Sequence, residues 1–291
     1  MDKINAVPHS VLGHLAEGVS EGIVTGKNEV FLLPLDKASK LGLEKEPLKP
    51  VIQGKQIKRY YHEPVQNFLI YPYYSNVDRT EPIPEEDFAR LFPVTWEYLL
   101  SQRQNLMGRK YFDDSLKAWY ELWCERSFLQ QASAKIVVPE LASKNRFAYC
   151  AESIFYLDTA CGIVPNNKDL NTCLYLLGLL NSSLLEFYYK KTTVPKASGF
   201  YIYKTMFLRG LPVRNIDFDN PQEKKMHDAL VALVDKMLEL NKRLAPIRDI
   251  PFSERDELLR EIERTDKEID NLVYDLYGLT EKEREIVEGG L

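Results

Sequence analysis

Short stretches of basic side chains, some beside tyrosines, stand next to turn-forming residues at separate points along the 291-residue chain. Lysine and arginine neutralise phosphate groups, and arginine and asparagine also form the hydrogen bonds that read base edges. The pattern is typical of loops that contact a nucleic acid, and equally of solvated loops in a protein without that function. The candidate residues are Lys27, Asn28, Lys55, Lys58, Arg59, Tyr60, Arg109, Lys110, Lys144, Asn145, Arg146, Lys191, Lys196 and Lys204.

Motifs that would supply catalysis are missing from the sequence. It contains no phosphate-binding G-x-x-x-x-G-K-[ST] and no dinucleotide-binding G-x-G-x-x-G. None of the histidines pairs with a serine or cysteine in a nucleophile arrangement. Pro139-Glu140 with Lys144 resembles a fragment of a nuclease site, but a metal-dependent cut needs more oxygen ligands than one carboxylate. The residues alone therefore indicate no complete active site.

The net charge of −5 argues against unspecific coating of nucleic acid, yet the charge is unevenly distributed. Residues 220–291 contain 12 basic and 18 acidic side chains, a balance of −6. Residues 1–219 contain 26 basic and 25 acidic side chains, a balance of +1. A local basic cleft in the first part is compatible with this distribution.

Cysteine spacing and hydropathy bear on the compartment. The four cysteines form no C-x-x-C pair, so they indicate reduced, buried thiols rather than a disulfide framework or a zinc site. No apolar run approaches the roughly 20 residues that a membrane span requires. The first residues lack the pattern of a secretory signal. We therefore expect a cytoplasmic protein with no membrane partner.

The elements that position the basic residues follow from hydrophobic periodicity and turn signals. Residues 22–33 predict a β-hairpin with its turn at Gly26-Lys27-Asn28, and KPVIQ and NFLIYPYY predict two further strands. A helix is predicted from Glu85 to Met107, interrupted at Pro93, and a second helix from Ser115 to Phe128.

Beyond these helices, KIVVPEL, FAYC, SIFYLD and CGIVP predict strands of one sheet. Residues 169–189 predict a long buried helix, and GFYIYK predicts a return to strand. In the tail, apolar residues recur in alternating steps of four and three over residues 226–244 and 258–276, which predicts an antiparallel helical hairpin. Gly278 is placed to end its second helix, and Thr280 with Glu283 forms a capping box for a short last one.

These elements predict an α+β fold in two parts. Residues 1–219 form a body of mixed β-sheet with helices, and residues 220–291 form the antiparallel helical hairpin with its short last helix. The basic loops belong to the body.

The order of motifs resembles the TaqI-like specificity domain, the C-terminal part of adenine-specific DNA methyltransferases and fused restriction–methylation enzymes. The resemblance spans residues 21–288 and is strongest in the tail. The motifs that carry it are EGIVTGKNEVF, PVIQGKQIKRYY, FLIYPY, WYEL with KIVVPEL, LLGLLNSSLLEFYYK and IDNLVYDLYGLTEKEREIVE.

The resemblance implies a division of labour. In the family, a separate N-terminal domain binds S-adenosylmethionine and methylates adenine N6 through an N-P-P-Y-type motif after flipping the base. The single Asn-Pro here, Asn220-Pro221, is followed by Gln222 and does not match that motif. The resemblance therefore implies an excised or stand-alone module that reads double-stranded DNA, works with a methyltransferase domain in cis or in trans, and holds no cofactor itself.

The resemblance also suggests roles for the basic loops. The lysines would contact phosphates, whereas Arg59, Arg109, Asn145 and Arg146 would read base edges. Two other hypotheses remain open from the sequence. The chain could be an assembly subunit that docks a methyltransferase or nuclease partner through its helical hairpin, or it could be a cryptic enzyme.

Overall fold

The computed structural model describes residues 2–75, 80–109, 112, 115–251 and 253–291. Strands and helices alternate irregularly along the chain, and the predicted α+β class is confirmed. The strands are β1 (His9–Val11), β2 (Ala16–Glu21), β3 (Leu32–Pro34), β4 (Leu48–Ile52), β5 (Asn67–Ile70), β6 (Lys135–Pro139), β7 (Leu141–Ala142), β8 (Ala148–Cys150), β9 (Phe155–Tyr156), β10 (Ala160–Pro165), β11 (Tyr201–Ile202) and β12 (Pro212–Arg214).

Helices surround the sheets, and several of them are only one or two turns long. Short 3₁₀ turns occupy Gly54–Gln56, Ala197–Gly199 and Ala245–Ile247. The α-helices are α1 (Asp2–Ala6), α2 (Leu12–Leu15), α3 (Asn28–Phe31), α4 (Leu35–Leu41), α5 (Glu85–Leu91), α6 (Pro93–Ser101), α7 (Arg103–Leu106), α8 (Phe128–Ala132), α9 (Leu170–Asn181), α10 (Ser183–Thr192), α11 (Thr205–Leu208), α12 (Pro221–Leu244), α13 (Ser253–Leu276) and α14 (Glu281–Gly289).

Two larger sheets form the centre of the fold. The first has the order β2-β10-β6-β8 and is antiparallel throughout. Every residue of β6 and β10 is buried, which agrees with the apolar sequence of β10 and of β6 after Lys135. The second sheet has the order β3-β5-β4-β9, and β9 joins it parallel to β4. Because β9 and β10 are adjacent in the chain, residues 155–165 link the two sheets.

Each sheet has its own hydrophobic core. The core of the second sheet includes Phe88 and Trp96 of α5 and α6 together with Tyr71 and Phe155. The core of the first sheet includes α9 and α10 and also the buried stripe of the C-terminal hairpin. The hairpin is therefore packed into the same core as part of the body.

The hairpin has the predicted form. Lys236 pairs with Glu261, and farther toward the connection Arg243 pairs with Glu254, so α12 and α13 run antiparallel. Gly278 has a φ of +65°, and the capping box of Thr280 with Glu283 is present. Gly178 of α9 lets α12 approach closely, because a Cβ there would lie 2.9 Å from Leu230 and Val234 atoms.

The break at Pro93 is confirmed, because α5 ends at Leu91 and α6 begins at Pro93. The hairpin predicted for residues 22–33 is wrong, since helix α3 occupies Asn28–Phe31. The helix predicted for Ser115–Phe128 is also wrong, because that segment has no helix before Phe128.

The other departures from prediction concern a helix and a strand. The long helix predicted for residues 169–189 is two helices, because the Ser182 side chain caps α10. SIFYLD contributes β9 to the second sheet rather than to the sheet of β6, β8 and β10.

Candidate nucleic-acid interface

Three of the loops meet at the turn Asp158–Thr159, between β9 and β10. The Thr159 hydroxyl accepts a hydrogen bond from the Gly54 amide at 2.9 Å, and the Thr159 carbonyl accepts one from the Glu140 amide at 2.8 Å. On the other side of the turn, the Asp158 amide donates to the Ile23 carbonyl at 3.0 Å. We call the surface formed by residues 22–29, 53–58, 139–146, 158–159 and 193–204 the loop face.

Residues 193–204 join the loop face through a short two-stranded ribbon. β11 pairs antiparallel with β7, and the Tyr203 amide donates to the Glu140 carbonyl at 2.8 Å. The Lys204 ammonium lies 2.6 Å from Glu140 and 3.2 Å from Glu21. The hydrogen bond to Glu140 is the main reason that the pKa of Lys204 lies above its usual value. Lys204 therefore links loops within the protein.

The loop face exposes basic side chains that have no acidic partner. Lys55, Lys144 and Lys196 are exposed and Lys27 is half-buried. In the part of the chain that the structure describes, none of these four ammonium groups forms an ion pair. Such groups can meet a phosphate without first breaking an internal salt bridge.

Two further polar side chains of the loop face, Arg146 and Asn28, are only lightly held. Arg146 is half-buried, with one long contact of 3.4 Å to the Leu141 carbonyl. Exposed Asn28 accepts a hydrogen bond from Thr25 at 2.6 Å. Lys58 differs, because its ammonium pairs with Glu63 at 3.0 Å and also donates to the Lys55 carbonyl.

Arg59 and Tyr60 anchor the loop of Lys55 to the helical hairpin. Both Arg59 Nη2 and the Tyr60 hydroxyl donate to the Asp266 carboxylate of α13, at 2.8–3.0 Å and 2.9 Å. One turn along α13, Asp270 accepts two 2.7 Å hydrogen bonds from Ser183. Burial raises the pKa of Asp270, although these bonds oppose the shift. Because Tyr60 is 2% exposed, its prediction as a DNA contact is corrected to a structural role.

Arg109 is also structural rather than a reader of bases. It is 7% exposed, and its guanidinium donates to the backbone carbonyls of Thr25, Leu106, Trp119 and Glu121. Burial lowers the pKa of Arg109 to about 10. Its prediction as a base contact is therefore corrected, because the side chain is buried and four of the five N–H donors of its guanidinium bind backbone carbonyls of the protein. Neighbouring Lys110 lies outside the described residues.

Asn145 holds the turn between exposed Lys144 and half-buried Arg146. The side chain is 1% exposed, donates to the Leu180 carbonyl at 2.7 Å and accepts from the Tyr203 hydroxyl at 2.8 Å. Its backbone amide donates to buried Glu186. The prediction that Asn145 reads a base is corrected for the same reason as that of Tyr60.

Lys191 is exposed but lies apart from the loop face. It is near the end of α10 with its ammonium 5.3 Å from the centre of the Phe187 ring, and Phe187 packs toward α14.

The sequence reasoning missed the turn Asp158–Thr159, which organises the loop face. An Asp-Thr pair between two apolar strands was the available turn signal.

The residues that the structure describes contain neither a metal-binding cluster nor a membrane-spanning helix. Among them, no three side chains of His, Cys, Asp and Glu converge so as to hold a metal ion. No helix of the described part combines the length and the apolarity needed to cross a bilayer.

An α+β body with a face of basic loops, held by a helical hairpin, defines a class of protein that can bind a polyanion. Comparison with known families then makes the assignment specific. Residues 49–213, more than half of the chain, match the TaqI-like C-terminal specificity domain. The chain belongs to this family, and the resemblance seen in the sequence is confirmed.

Curated relatives include methyltransferases. Type II methyltransferase M.MjaIV of Methanocaldococcus jannaschii is 31% identical over 194 residues, covering 64% of this chain and 61% of M.MjaIV. Type II methyltransferase M.BanIII of Aneurinibacillus aneurinilyticus is 27% identical, covering 45% of this chain and 23% of its own length. Type II restriction enzyme and methyltransferase RM.Eco57I of Escherichia coli is 23% identical, covering 84% and 26%. The chain thus spans from about a quarter to three-fifths of these relatives.

A solved structure has the same fold. The Type IIL restriction-modification enzyme MmeI in complex with DNA superimposes with a TM-score of 0.62 over 94% of this chain and 34% of MmeI, at 12% sequence identity. At this identity the likeness is one of fold.

Proposed function

We propose that this chain is the DNA-recognition part of a type II restriction–modification system whose methyltransferase modifies adenine N6. Membership of the specificity-domain family and the methyltransferase relatives support this proposal. The observation that carries it is the loop face around Asp158–Thr159, where four lysines from separate parts of the sequence have no ion-pair partner among the described residues.

Within this proposal, the loop face divides into phosphate and base contacts. Lys27, Lys55, Lys144 and Lys196 neutralise phosphates and supply affinity that weakens with salt. Arg146 and Asn28 have the donors and acceptors for base edges, where one paired contact discriminates by about 1–3 kcal/mol. In the two-part division predicted from the sequence, residues 1–219 read DNA and residues 220–291 are their scaffold.

The proposal assigns S-adenosylmethionine and catalysis to a methyltransferase domain acting in cis or in trans. A cofactor cradle needs glycines that leave room for a ligand. The described glycines with close neighbours instead leave room for atoms of the chain itself. Gly22 and Gly54 face the backbone of Leu157 and Thr159, and Gly162 faces the Tyr156 ring. The chain's part is binding and orientation.

The alternative of a docking subunit loses its main support. The apolar stripe that would bind a partner is buried within the chain, since Leu230, Val234, Met237 and Ile269 lie in the core of the first sheet. DNA recognition is therefore the function that the geometry favours.

A matched pair of charge reversals tests the proposal. Lys55→Glu and Lys225→Glu change the net charge equally, but exposed Lys225 lies on α12, away from the loop face. We expect Lys55→Glu to weaken binding of a mixed-sequence duplex roughly tenfold and Lys225→Glu to leave it unchanged, as measured by fluorescence anisotropy. No binding by the unmodified chain at roughly 50 mM salt, or an equal loss in both variants, would contradict the proposal.

The non-catalytic part of the proposal has its own test. The chain incubated with duplex DNA, magnesium and S-adenosylmethionine should produce neither N6-methyladenine nor strand cleavage. Adding the methyltransferase domain should restore methylation. Either product from the chain alone would overturn this assignment.

A further inference from the structure

One segment of the chain is free of acidic residues. Between Phe187 and Ile216 there is no aspartate or glutamate, although the whole protein carries 43 acidic residues and a net charge of −5. Lys190, Lys204 and Arg214 pair with carboxylates from outside the segment, so the charge that could meet a polyanion lies on its other basic residues. Its basic residues are Lys190, Lys191, Lys196, Lys204, Arg209 and Arg214.

Residues 193–203 of this segment form an arm with a fixed base. Tyr203 is fully buried and stacks on Tyr189, with ring centres 4.5 Å apart and planes within 3°. The Tyr203 hydroxyl donates to Asn145, and the Tyr189 hydroxyl donates to the Ile202 carbonyl. Because the stacked tyrosines and these hydrogen bonds fix the point where the arm joins the body, the arm keeps a constant direction.

The tip of the arm is a tight turn whose side chains are all outside the core. Pro195 bridges to Tyr201, and the Lys196 amide donates to the Phe200 carbonyl at 2.7 Å. Ser198 and Gly199 both have positive φ, +60° and +74°, which closes the turn. Every residue from Val194 to Phe200 is exposed.

The tip combines apolar and cationic side chains. Val194 is 61% exposed and Phe200 is 41% exposed, and Lys196 lies between them in sequence without an ion-pair partner among the described residues. Contact of apolar side chains with water is unfavourable, so a partner that covers them gains binding free energy. The grooves of duplex DNA offer such a partner, since base edges and thymine methyl groups accept apolar contacts and phosphates flank them.

We propose that the arm enters a groove of the DNA duplex, with Phe200 and Val194 packed against the bases and Lys196 on a flanking phosphate. This inference rests on the proposed function and adds to it a contact whose contribution is not electrostatic. The arm and the lysines of the loop face then differ in their response to salt.

Salt dependence separates the two kinds of contact. In anisotropy titrations with a mixed-sequence duplex, Phe200→Ala should weaken binding roughly tenfold at every salt concentration and leave the slope of log K against log salt unchanged. Phe200→Leu should recover most of that loss, because it restores apolar surface. Lys196→Ala should reduce the magnitude of the slope by about 0.9.

Matched controls lie outside the arm. Phe218→Ala removes a phenylalanine that is 58% exposed, and Lys225→Ala removes an exposed lysine of α12. Both should bind as the unmodified chain does. If Phe200→Ala equals Phe218→Ala while Lys55→Glu still weakens binding, the arm does not enter the groove and the proposed function stands. If the arm variants instead reduce only association with the methyltransferase domain, the arm is a protein contact and the inference is overturned.

Discussion

In two of the predicted DNA-binding loops, an anchored side chain lies within a few residues of an exposed lysine. Lys55 is followed by Arg59 and Tyr60, which bind Asp266, and Asn145 is buried between Lys144 and Arg146. Anchoring lowers the conformational entropy that the exposed neighbours lose when they bind a ligand. Residue type alone could not separate the two roles, because arginine and asparagine suit both an internal network and a base edge.

The contact between Arg59 and Asp266 gives a prediction at this scale. Asp266→Asn keeps the size of the side chain but replaces one acceptor with a donor facing the guanidinium. Both partners are about 30% exposed, so solvent screens part of the effect. We expect the free energy of unfolding in urea to fall by about 1–2 kcal/mol.

The control for Asp266→Asn is Glu263→Gln on the same helix. Glu263 pairs with Lys267, and both side chains are 70% exposed or more. Its substitution should leave the urea midpoint unchanged. Equal effects of the two substitutions would show that the Arg59 contact does not hold the loop to the hairpin.

Gly162 in β10 provides a second prediction for a single residue. A Cβ at this position would overlap the buried Tyr156 ring, whose hydroxyl is hydrogen-bonded to Ser20 at 2.8 Å. Gly162→Ala should lower the free energy of unfolding by about 1–3 kcal/mol, because the ring has no room to move. Gly210→Ala, where a Cβ would meet only the Phe207 carbonyl at 3.6 Å, should be tolerated. Similar urea midpoints for both variants would contradict this account.

At the scale of elements, the sequence predicts best where local signals are sufficient. Each correct prediction rests on a signal that spans only one or two helical turns. Heptad spacing predicts the hairpin, Pro93 predicts the break before α6, and the capping box predicts the start of α14 at Thr280. The strands of the first sheet are also predictable, since continuous apolar runs suit strands buried on both faces.

The elements that were predicted wrongly depend on distant partners. Residues 115–128 have an apolar pattern compatible with a helix, but the Leu122 amide donates to the Tyr73 hydroxyl and Cys124 pairs with Val24. Arg109 takes two further carbonyls of that segment. Because the bonds to Tyr73 and Val24 bridge about 50 and 100 residues, no local pattern reports them. The loop face was likewise predictable in its residues but not in its assembly around Asp158–Thr159.

A cap contributed by one element to another gives a pH prediction. Glu44, which follows α4, accepts hydrogen bonds from the backbone amides of Val94 and Thr95 at the start of α6, both at 2.9 Å. Partial burial opposes ionisation, but these bonds and that of the Thr95 hydroxyl outweigh it and hold the pKa of Glu44 below its ordinary value of 4.5. The stabilisation is therefore present above that value and is lost as pH falls through the lower folded-state pKa.

Glu44→Gln tests this linkage. At pH 6 the free energy of unfolding of the variant should be about 0.5–1 kcal/mol lower than that of the unmodified chain, because an amide caps the helix less strongly than a carboxylate. At about pH 3 the difference should shrink, because the carboxylate is then largely protonated in the unfolded chain and must lose that proton to form the ionised cap. Urea denaturation at both pH values measures it. A difference that is constant with pH would mean that the charge of Glu44 does not contribute to the cap.

At the scale of the whole molecule, charge and packing divide the chain differently. Charge separates a nearly neutral first part from an acidic tail beginning near residue 220. Packing joins them, because Leu230, Val234 and Val273 share a core with β6, β10 and α9. The hairpin therefore has two roles. It supplies the Asp266 carboxylate that binds Arg59, and it completes the core of the first sheet.

Removing the hairpin should consequently unfold the first sheet rather than isolate a recognition body. A chain ending at Asp219 would uncover the face of α9 at Tyr175 and Gly178, which lies against His227, Leu230 and Val234 of α12. We expect such a chain to lose near-ultraviolet circular dichroism and to bind dyes specific for exposed apolar surface. Val234→Asp in the full-length chain places a charge in the same core, where the residue is 0% exposed, and should have the same effect with the hairpin still attached. If the shortened chain keeps its tertiary dichroism and unfolds cooperatively, residues 1–219 fold alone and the shared core is not required.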